Sequence, residues 1–284
     1  MPFPPPPSLL PAVADIVREA GRIVMAVYAR GASARRKADA SPVTEADEAA
    51  EALIVPALRA LAPGIPVVAE EAVAAGDIPD PSALRGLFWL VDPLDGTREF
   101  LARNGEFTVN VALVEAGRPV LGAVLAPALP DGAELYTGVV GAGAWLARGD
   151  EPARPIAVRA EPPEGLVLLG SRSHGDEAAM QTFIAQRLAG RRIAGRREAG
   201  SSLKLCLIAA GQADLYPRFG RTMAWDIAAG HAVLAAAGGE VLTLDGTPLR
   251  YGASGFENPH FVAVADAASW RRDPPSPTDD GAAR

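Results

Sequence analysis

The chain has 284 residues, 49% of them hydrophobic, and a formal net charge of −7. That length can bury a large core in one domain or two modest ones, and the acidic balance excludes nucleic-acid polymers, whose binding takes a basic face. A single cysteine, Cys206, excludes an intrachain disulfide framework, and His174, His231 and His260, far apart and without cysteine partners, argue against a zinc site.

The opening MPFPPPPSLL has neither a basic start nor a long apolar run, so it is not read as a signal peptide. No uncharged stretch reaches the ~18 residues a membrane helix needs. The expectation is a cytoplasmic protein, monomer or homodimer, with peripheral contact at the cytoplasmic face of the membrane left open. Pro4 to Pro7 are expected to form an extended lead. From residue 9 to 28, Leu9, Val13, Ile16, Val17, Ala20, Val24 and Val27 recur at helical spacing, and Gly31 ends the helix. Thr44 is a good N-cap with Asp47 three residues on, in an acidic first turn that suits a helix start. That helix continues through Ala50, Leu53, Ile54 and Leu58. IPVVAEE then reads as a strand, Ile65 to Val68, ending on Glu70 and Glu71.

The next stretch, FWLVDPLDGTREFLARNGEFT, opens on an apolar run from Leu87 to Val91 that reads as a buried strand stopping at Asp92. Pro93 predicts a sharp turn. Asp95, Gly96 and Thr97 follow. Two carboxylates at the end of a buried strand, with no Lys or Arg between them, repel unless a cation sits between them.

FTVNVALVEAGRPVLGAVLAP predicts two strands joined by a turn at Glu115 to Arg118, and LYTGVVGAGAWLA predicts two more. Gly141 and Gly143 lack the third glycine of a dinucleotide fingerprint and read as a hairpin turn. Residues 148–165 are rich in proline and charge and mark a boundary. The resulting division is an N-terminal α+β domain over 1–155, a C-terminal α/β domain over 156–270, and a disordered tail over 271–284. In the second part LVLLG is a buried strand leading into SRSHGDEAA and a helix. AGSSLKLCLIAAGQADLYPR gives a helix opened by Ser201 or Ser202, then a strand near Asp214 to Tyr216. MAWDIAAGHAVLAAAGG is a helix with Asp226 in its first turn, stopped by Gly238 and Gly239. GEVLTLDGTPLRY and HFVAVAD add closing strands. With no internal repeat, the fold class is α and β layered together.

KADASPVTEAD, DPLDGT and WDIAAGHAVLAAAGG, in this order, resemble the three motifs of the inositol monophosphatase superfamily, magnesium-dependent and lithium-sensitive phosphomonoesterases. The continuation REF…RNGEFTVNVAL is similar to its 3′(2′),5′-bisphosphate nucleotidase branch. The resemblance runs from about Lys37 to Phe261. It implies a sandwich of alternating helix and sheet layers, and removal of the 3′-phosphate of 3′-phosphoadenosine 5′-phosphate, giving AMP and phosphate, in sulfate assimilation.

The site residues follow from the same resemblance. Two or three magnesium ions would be held by Glu70, Asp92, Asp95, Asp226 and the Leu94 carbonyl. Asp47 and Thr97 would orient and deprotonate the attacking water. Backbone donors at Gly96 and Thr97 would cradle the scissile phosphate. His174, Ser201, Lys204 and Arg218 would hold the nucleotide, joined in substrate contact by Glu70, Leu94, Asp95, Gly96, Thr97 and Asp226. Of 27 basic residues only Lys37 and Lys204 are lysine, and Lys204 suits a point-charge contact to the non-reacting phosphate. Arg98 and Arg103 depart from the family, which usually has lysine there. Two other functions use the same residues: an inositol- or sugar-phosphate phosphatase, and a catalytically silent nucleotide binder.

Overall fold

The computed structural model describes residues 5–31, 33–36, 42–80, 82–172, 176–252 and 255–272. Its first helix, α1 (Pro6–Arg30), begins earlier than the spacing of apolar residues suggests. The extended lead is shorter than expected: Pro5, the N-cap, is extended, but Pro6 and Pro7 occupy the first turn, where a missing N–H is no loss. Pro4 and Lys37 lie outside the described residues. Gly31, at φ 82°, ends α1 as expected.

A short antiparallel ribbon, β1 (Ala34–Arg36) with β2 (Pro42–Thr44), leads into α2 (Glu45–Leu61), which runs on through Pro56. Next come β3 (Val67–Ala69), α3 (Glu70–Ala74), β4 (Leu87–Asp95) and α4 (Thr97–Leu101). The meander β5 (Thr108–Glu115), β6 (Arg118–Ala126), β7 (Glu134–Val139), β8 (Gly143–Arg148) and β9 (Arg154–Ile156) follows. These strands form a seven-stranded sheet in the order β3-β4-β5-β6-β7-β8-β9, parallel only between β3 and β4.

The second half supplies β10 (Leu166–Ser171), α5 (Glu177–Arg187), β11 (Ile193–Ala199), α6 (Leu203–Ala209) and β12 (Leu215–Arg218). It ends with α7 (Ala224–Ala236), β13 (Glu240–Thr243), β14 (Phe261–Val264) and α8 (Ala267–Arg272). Its sheet has five strands, ordered β11-β10-β12-β14-β13.

Strand alternation builds the layers. On β4, Trp89 and Val91 face one way and join a core with α1 and α2, while Phe88 and Leu90 face the other and pack with α6 and α7. On β14, Phe261 and Ala263 close that central core from the far side. Val262 and Val264 point outward, against Phe183 of α5 and Trp270 of α8. The result is helices, sheet, helices, sheet, helices, as the layered fold class requires. The central layer fits closely: a Cβ added at Gly122 of β6 would lie 2.2 Å from the Ala229 carbonyl of α7, and one at Gly138 of β7 2.8 Å from the Val233 Cα. Two bare glycine positions therefore admit the α7 backbone against the larger sheet.

Two local expectations are corrected. β4 does not stop at Asp92 but continues through Pro93 to Asp95, with its register against β5 shifting between the two aspartates. Glu70 and Glu71 open α3 instead of ending a strand. β11 and α8 had no counterpart in the sequence reading. The proposed tail falls mainly on 273–284, outside the described residues.

Candidate active site

The elements that carry the motif residues converge on one cavity of about 430 Å³. It is lined among others by Glu70, Asp92, Asp95, Thr97, Lys204 and Asp226, and also by Leu94, Gly96, Ser201 and Arg218. His174 lies outside the described residues. Each side chain reaches the cavity from the end of an element, where backbone groups are still available to hold it.

Asp47 sits in the first turn of α2 and is buried. Its Oδ2 accepts from the Thr44 amide at 2.8 Å and the Thr44 hydroxyl at 2.7 Å, the reciprocal arrangement of a capping box. The capping explanation is therefore realised, and it leaves the other carboxylate oxygen for a different contact. Oδ1 lies 3.4 Å from the Thr97 hydroxyl, which is also 3.4 Å from the Leu94 carbonyl. Gly96, at φ 91°, makes the turn that sets Thr97 at the start of α4.

Glu70 from α3, Asp92 from β4 and Asp226 from α7 each bring a carboxylate oxygen within 4.8 Å of the other two. The Leu94 amide holds Asp92 Oδ1 at 3.0 Å, and the Met223 amide holds Asp226 Oδ2 at 2.9 Å. Asp95 stands beside this trio and outside its 4.8 Å span, with Oδ2 accepting from the Ser202 amide at 2.6 Å.

Crowding so many acids in a buried place is unfavourable. Burial first, then Asp95 and Glu70, push the Asp226 carboxyl well above the ordinary range. Burial likewise raises Asp95 to about 6, against the opposing pull of Lys204 and the Ser202 amide. A cation among these groups restores their ionisation, and three hard carboxylate oxygens with a nearby backbone carbonyl are the donor set of a magnesium-type ion. The trio can hold one such ion.

Basic residues line another part of the cavity. Lys204 is 4% exposed, and its ammonium donates to the Ala199 carbonyl at 3.1 Å and the Ser201 carbonyl at 2.6 Å. It also lies 5.2 Å from the centre of the Tyr216 ring. Burial lowers its pKa to about 8 while Asp95 opposes the fall, so the ammonium form dominates at neutral pH. Arg218, 7% exposed, donates to the Arg221 carbonyl at 3.1 Å. The lining also includes Val73, Tyr216, Met223 and Trp225, none of which the sequence reading had marked. One cavity thus combines a carboxylate cluster, two buried cationic side chains and flat apolar surface.

Two further residues escaped the sequence reading as site components. Ser202, expected only as a helix opener, contacts both Asp95 and the Asp226 main chain. Glu106 accepts a two-point contact from Arg172 at 2.7 and 2.9 Å and binds the Gly200 amide at 2.8 Å, bracing the loop before α6. Both lie in segments already singled out, RNGEFT and AGSSLK, but their contacts are long-range and leave no mark in the local pattern.

Known proteins match this arrangement over most of its length. A profile of the inositol monophosphatase family matches residues 8–270. The Escherichia coli O157:H7 protein 3′(2′),5′-bisphosphate nucleotidase CysQ is 46% identical over 257 residues, covering 89% of this chain and 98% of its own. The protein of the same name from Buchnera aphidicola is 39% identical over 264 residues, covering 91% and 94%. Among solved structures, CysQ from Bacteroides thetaiotaomicron superposes with a TM-score of 0.73 at 37% identity, covering 89% of this chain and 95% of that one.

Proposed function

The chain belongs to the inositol monophosphatase family, and from that membership we propose that it is a phosphomonoesterase that converts 3′-phosphoadenosine 5′-phosphate to AMP and phosphate in sulfur assimilation. The observation that carries this reading is the composition of one cavity: three converging carboxylates, a threonine–aspartate pair beside them, and Lys204 and Arg218 on the same lining. The relatives named 3′(2′),5′-bisphosphate nucleotidase supply the choice of substrate.

Phosphate monoesters hydrolyse extremely slowly unaided, and the protein's task is to position reactants and stabilise charge. Glu70, Asp92 and Asp226, with Asp95 and the Leu94 carbonyl, would hold two or three magnesium ions. When bound, these neutralise the phosphate and the departing ribose oxygen. Asp47 accepts the proton of the attacking water, passed through or oriented by the Thr97 hydroxyl. Thr44 occupies Asp47 Oδ2 and so turns Oδ1 toward Thr97. The Gly96 and Thr97 amides hold the scissile phosphate. Ser201, Lys204 and Arg218, with His174, hold the 5′-phosphate and nucleoside away from the acids, which leaves the 3′-phosphate in reach of the water.

Phosphate release from nucleotide bisphosphates, inositol 1-phosphate and fructose 1,6-bisphosphate, compared at equal concentration with magnesium, tests the proposal. The 3′,5′-bisphosphate should be the best substrate by kcat/KM. A preference for inositol 1-phosphate would overturn the substrate assignment. No release from any of them would overturn the enzyme reading and leave a nucleotide-binding protein.

A further inference from the structure

Ser202 stands where four elements meet, and it touches two acids of the site from behind. Its amide donates to Asp95 Oδ2 at 2.6 Å, and its hydroxyl donates to the Asp226 carbonyl. The same hydroxyl accepts from Asn110 Nδ2 at 3.1 Å. Ser202 is 1% exposed and Asn110 is fully buried. The contacts thus join the cap of α6 to β4, α7 and β5 without solvent.

The direction of these bonds is determined. A serine hydroxyl has one proton, and here it goes to the Asp226 carbonyl, so only a lone pair faces Asn110. Residue 110 must then present a donor, which an asparagine amide does and an aspartate would not. Asn110 is also the register partner of Asp92 across the β4–β5 ladder. Asn110 thus stands opposite Asp92 in the sheet and connects through Ser202 to Asp95 and to Asp226. The arrangement leaves Asn110 Oδ1 without a hydrogen-bond partner among the described residues. A buried acceptor left unmet is unfavourable, and an apolar side chain at this place in the sheet would avoid it.

We propose that Ser202 and Asn110 are positioning residues that hold Asp226 at cation-binding distance from Glu70 and Asp92, with Asp95 fixed beside that trio. The inference rests on reading the acid cluster as a divalent-cation site. The acids approach from different elements, β4 and α7, and repel one another. Without a bridge between those elements the carboxylates would relax apart. Groups that orient metal ligands typically change metal affinity by about 10–100-fold when removed.

The test is calorimetric titration of Mg2+ into the full-length, chelator-treated protein without substrate, with thermal melts in chelator to establish folding. The wild type should bind. Ser202→Ala and Asn110→Ala should each weaken binding about ten-fold, and the double variant should be little weaker than either, because both act through one hydroxyl. Ser202→Thr keeps that hydroxyl and should bind within about three-fold of wild type on the same scale. Folded Ser202→Ala protein with wild-type affinity would overturn the inference and leave the cation site standing. So would folded Ser202→Thr protein that has lost ten-fold, which covers the case in which Ser202→Ala does not fold. If the wild type itself binds no Mg2+, the cation-site reading fails first and takes this inference with it.

Discussion

The Thr97 hydroxyl lies 3.4 Å from Asp47 Oδ1, although fifty positions separate them in the chain. Thr44 holds the other oxygen of the same carboxylate. The pair belongs to α4 and α2, which approach one another only because β4 places Gly96 and Thr97 beside the first turn of α2. Removing either member should then have one effect, not two. Thr97→Ala and Asp47→Asn should each lower kcat about 10²–10⁴-fold, the range of general-base catalysis, and the double variant should be little worse than the more damaged single one. Losses that multiply in the double variant would show that the two act separately.

The acid cluster predicts opposite effects of one substitution on activity and on the stability of the cation-free protein. Asp92→Asn keeps the shape of a residue only 1% exposed and removes one negative charge. Turnover with magnesium should drop more than about 100-fold, beyond the range for groups that merely orient a ligand. In chelator, however, the variant should melt at or above the wild-type temperature, because one source of repulsion among buried acids is gone. Magnesium should raise the melting temperature of the wild type and have a reduced effect on the variant. Unchanged turnover in a folded variant would remove Asp92 from the cation site. Inhibition by lithium belongs to the same expectation and is read in the same assay.

Lys204 is expected to do two things, and substrates can separate them. Its contacts to the Ala199 and Ser201 carbonyls brace the loop that carries Ser201 and Ser202, and that role serves every substrate. A charge-assisted contact to a second phosphate serves only a bisphosphate, and at about 1.5–3 kcal/mol it corresponds to roughly 10–100-fold. Lys204→Ala should therefore lower kcat/KM for the 3′,5′-bisphosphate at least about ten-fold more than for 3′-AMP. Equal losses on both would make Lys204 a brace and nothing else.

His231 gives the pH prediction. The ring is 2% exposed, with Nδ1 2.9 Å from the Tyr251 hydroxyl and Nε2 3.1 Å from Glu240 Oε1. Burial lowers its pKa below the ordinary 6.5, outweighing Glu240, which raises it; Arg118 lowers it further. A base whose folded pKa is depressed stabilises the fold fully above its unfolded pKa and loses that contribution as pH falls below it. Glu240, also held low, acts in the same direction but only further down, below its ordinary 4.5. Melting temperature should fall as pH drops below about 6.5, and His231→Gln should flatten that fall. Parallel curves for the two proteins would place the acid-sensitive group elsewhere.

The site was legible where chemistry is written locally. DPLDGT, the Thr44–Asp47 cap and Asp226 in a helix first turn each carry their own short-range pattern; the first and last line one cavity, and Asp47 meets it through Thr97. Layering was legible too, since alternation at Phe88 to Val91 and helical spacing in α1 come directly from burial. β11 was missed because IAGRREA is rich in arginine and alternates only weakly. As an edge strand it pairs on one side alone and tolerates charge. The continuation of β4 past Pro93 was missed because proline is expected to break a central strand, and here it falls within the register shift. Ser202 and Asn110 are 92 positions apart, and no local pattern shows that one hydroxyl connects them.

The glycines under α7 give the site a mechanical origin outside the cavity. Asp226 rides on the first turn of a helix whose later turns rest against Gly122 and Gly138 on the larger sheet, while its flank packs on the smaller one. Its position is thus gauged from both sheets at once, like a lever seated on two fulcrums. A single methyl at Gly122, aimed at the Ala229 carbonyl, would lift the seat, and the shift would emerge one turn away as a displaced carboxylate. The spacing of the acids is therefore referred to both sheets, and a shift in the seat of α7 on either one reaches Asp226.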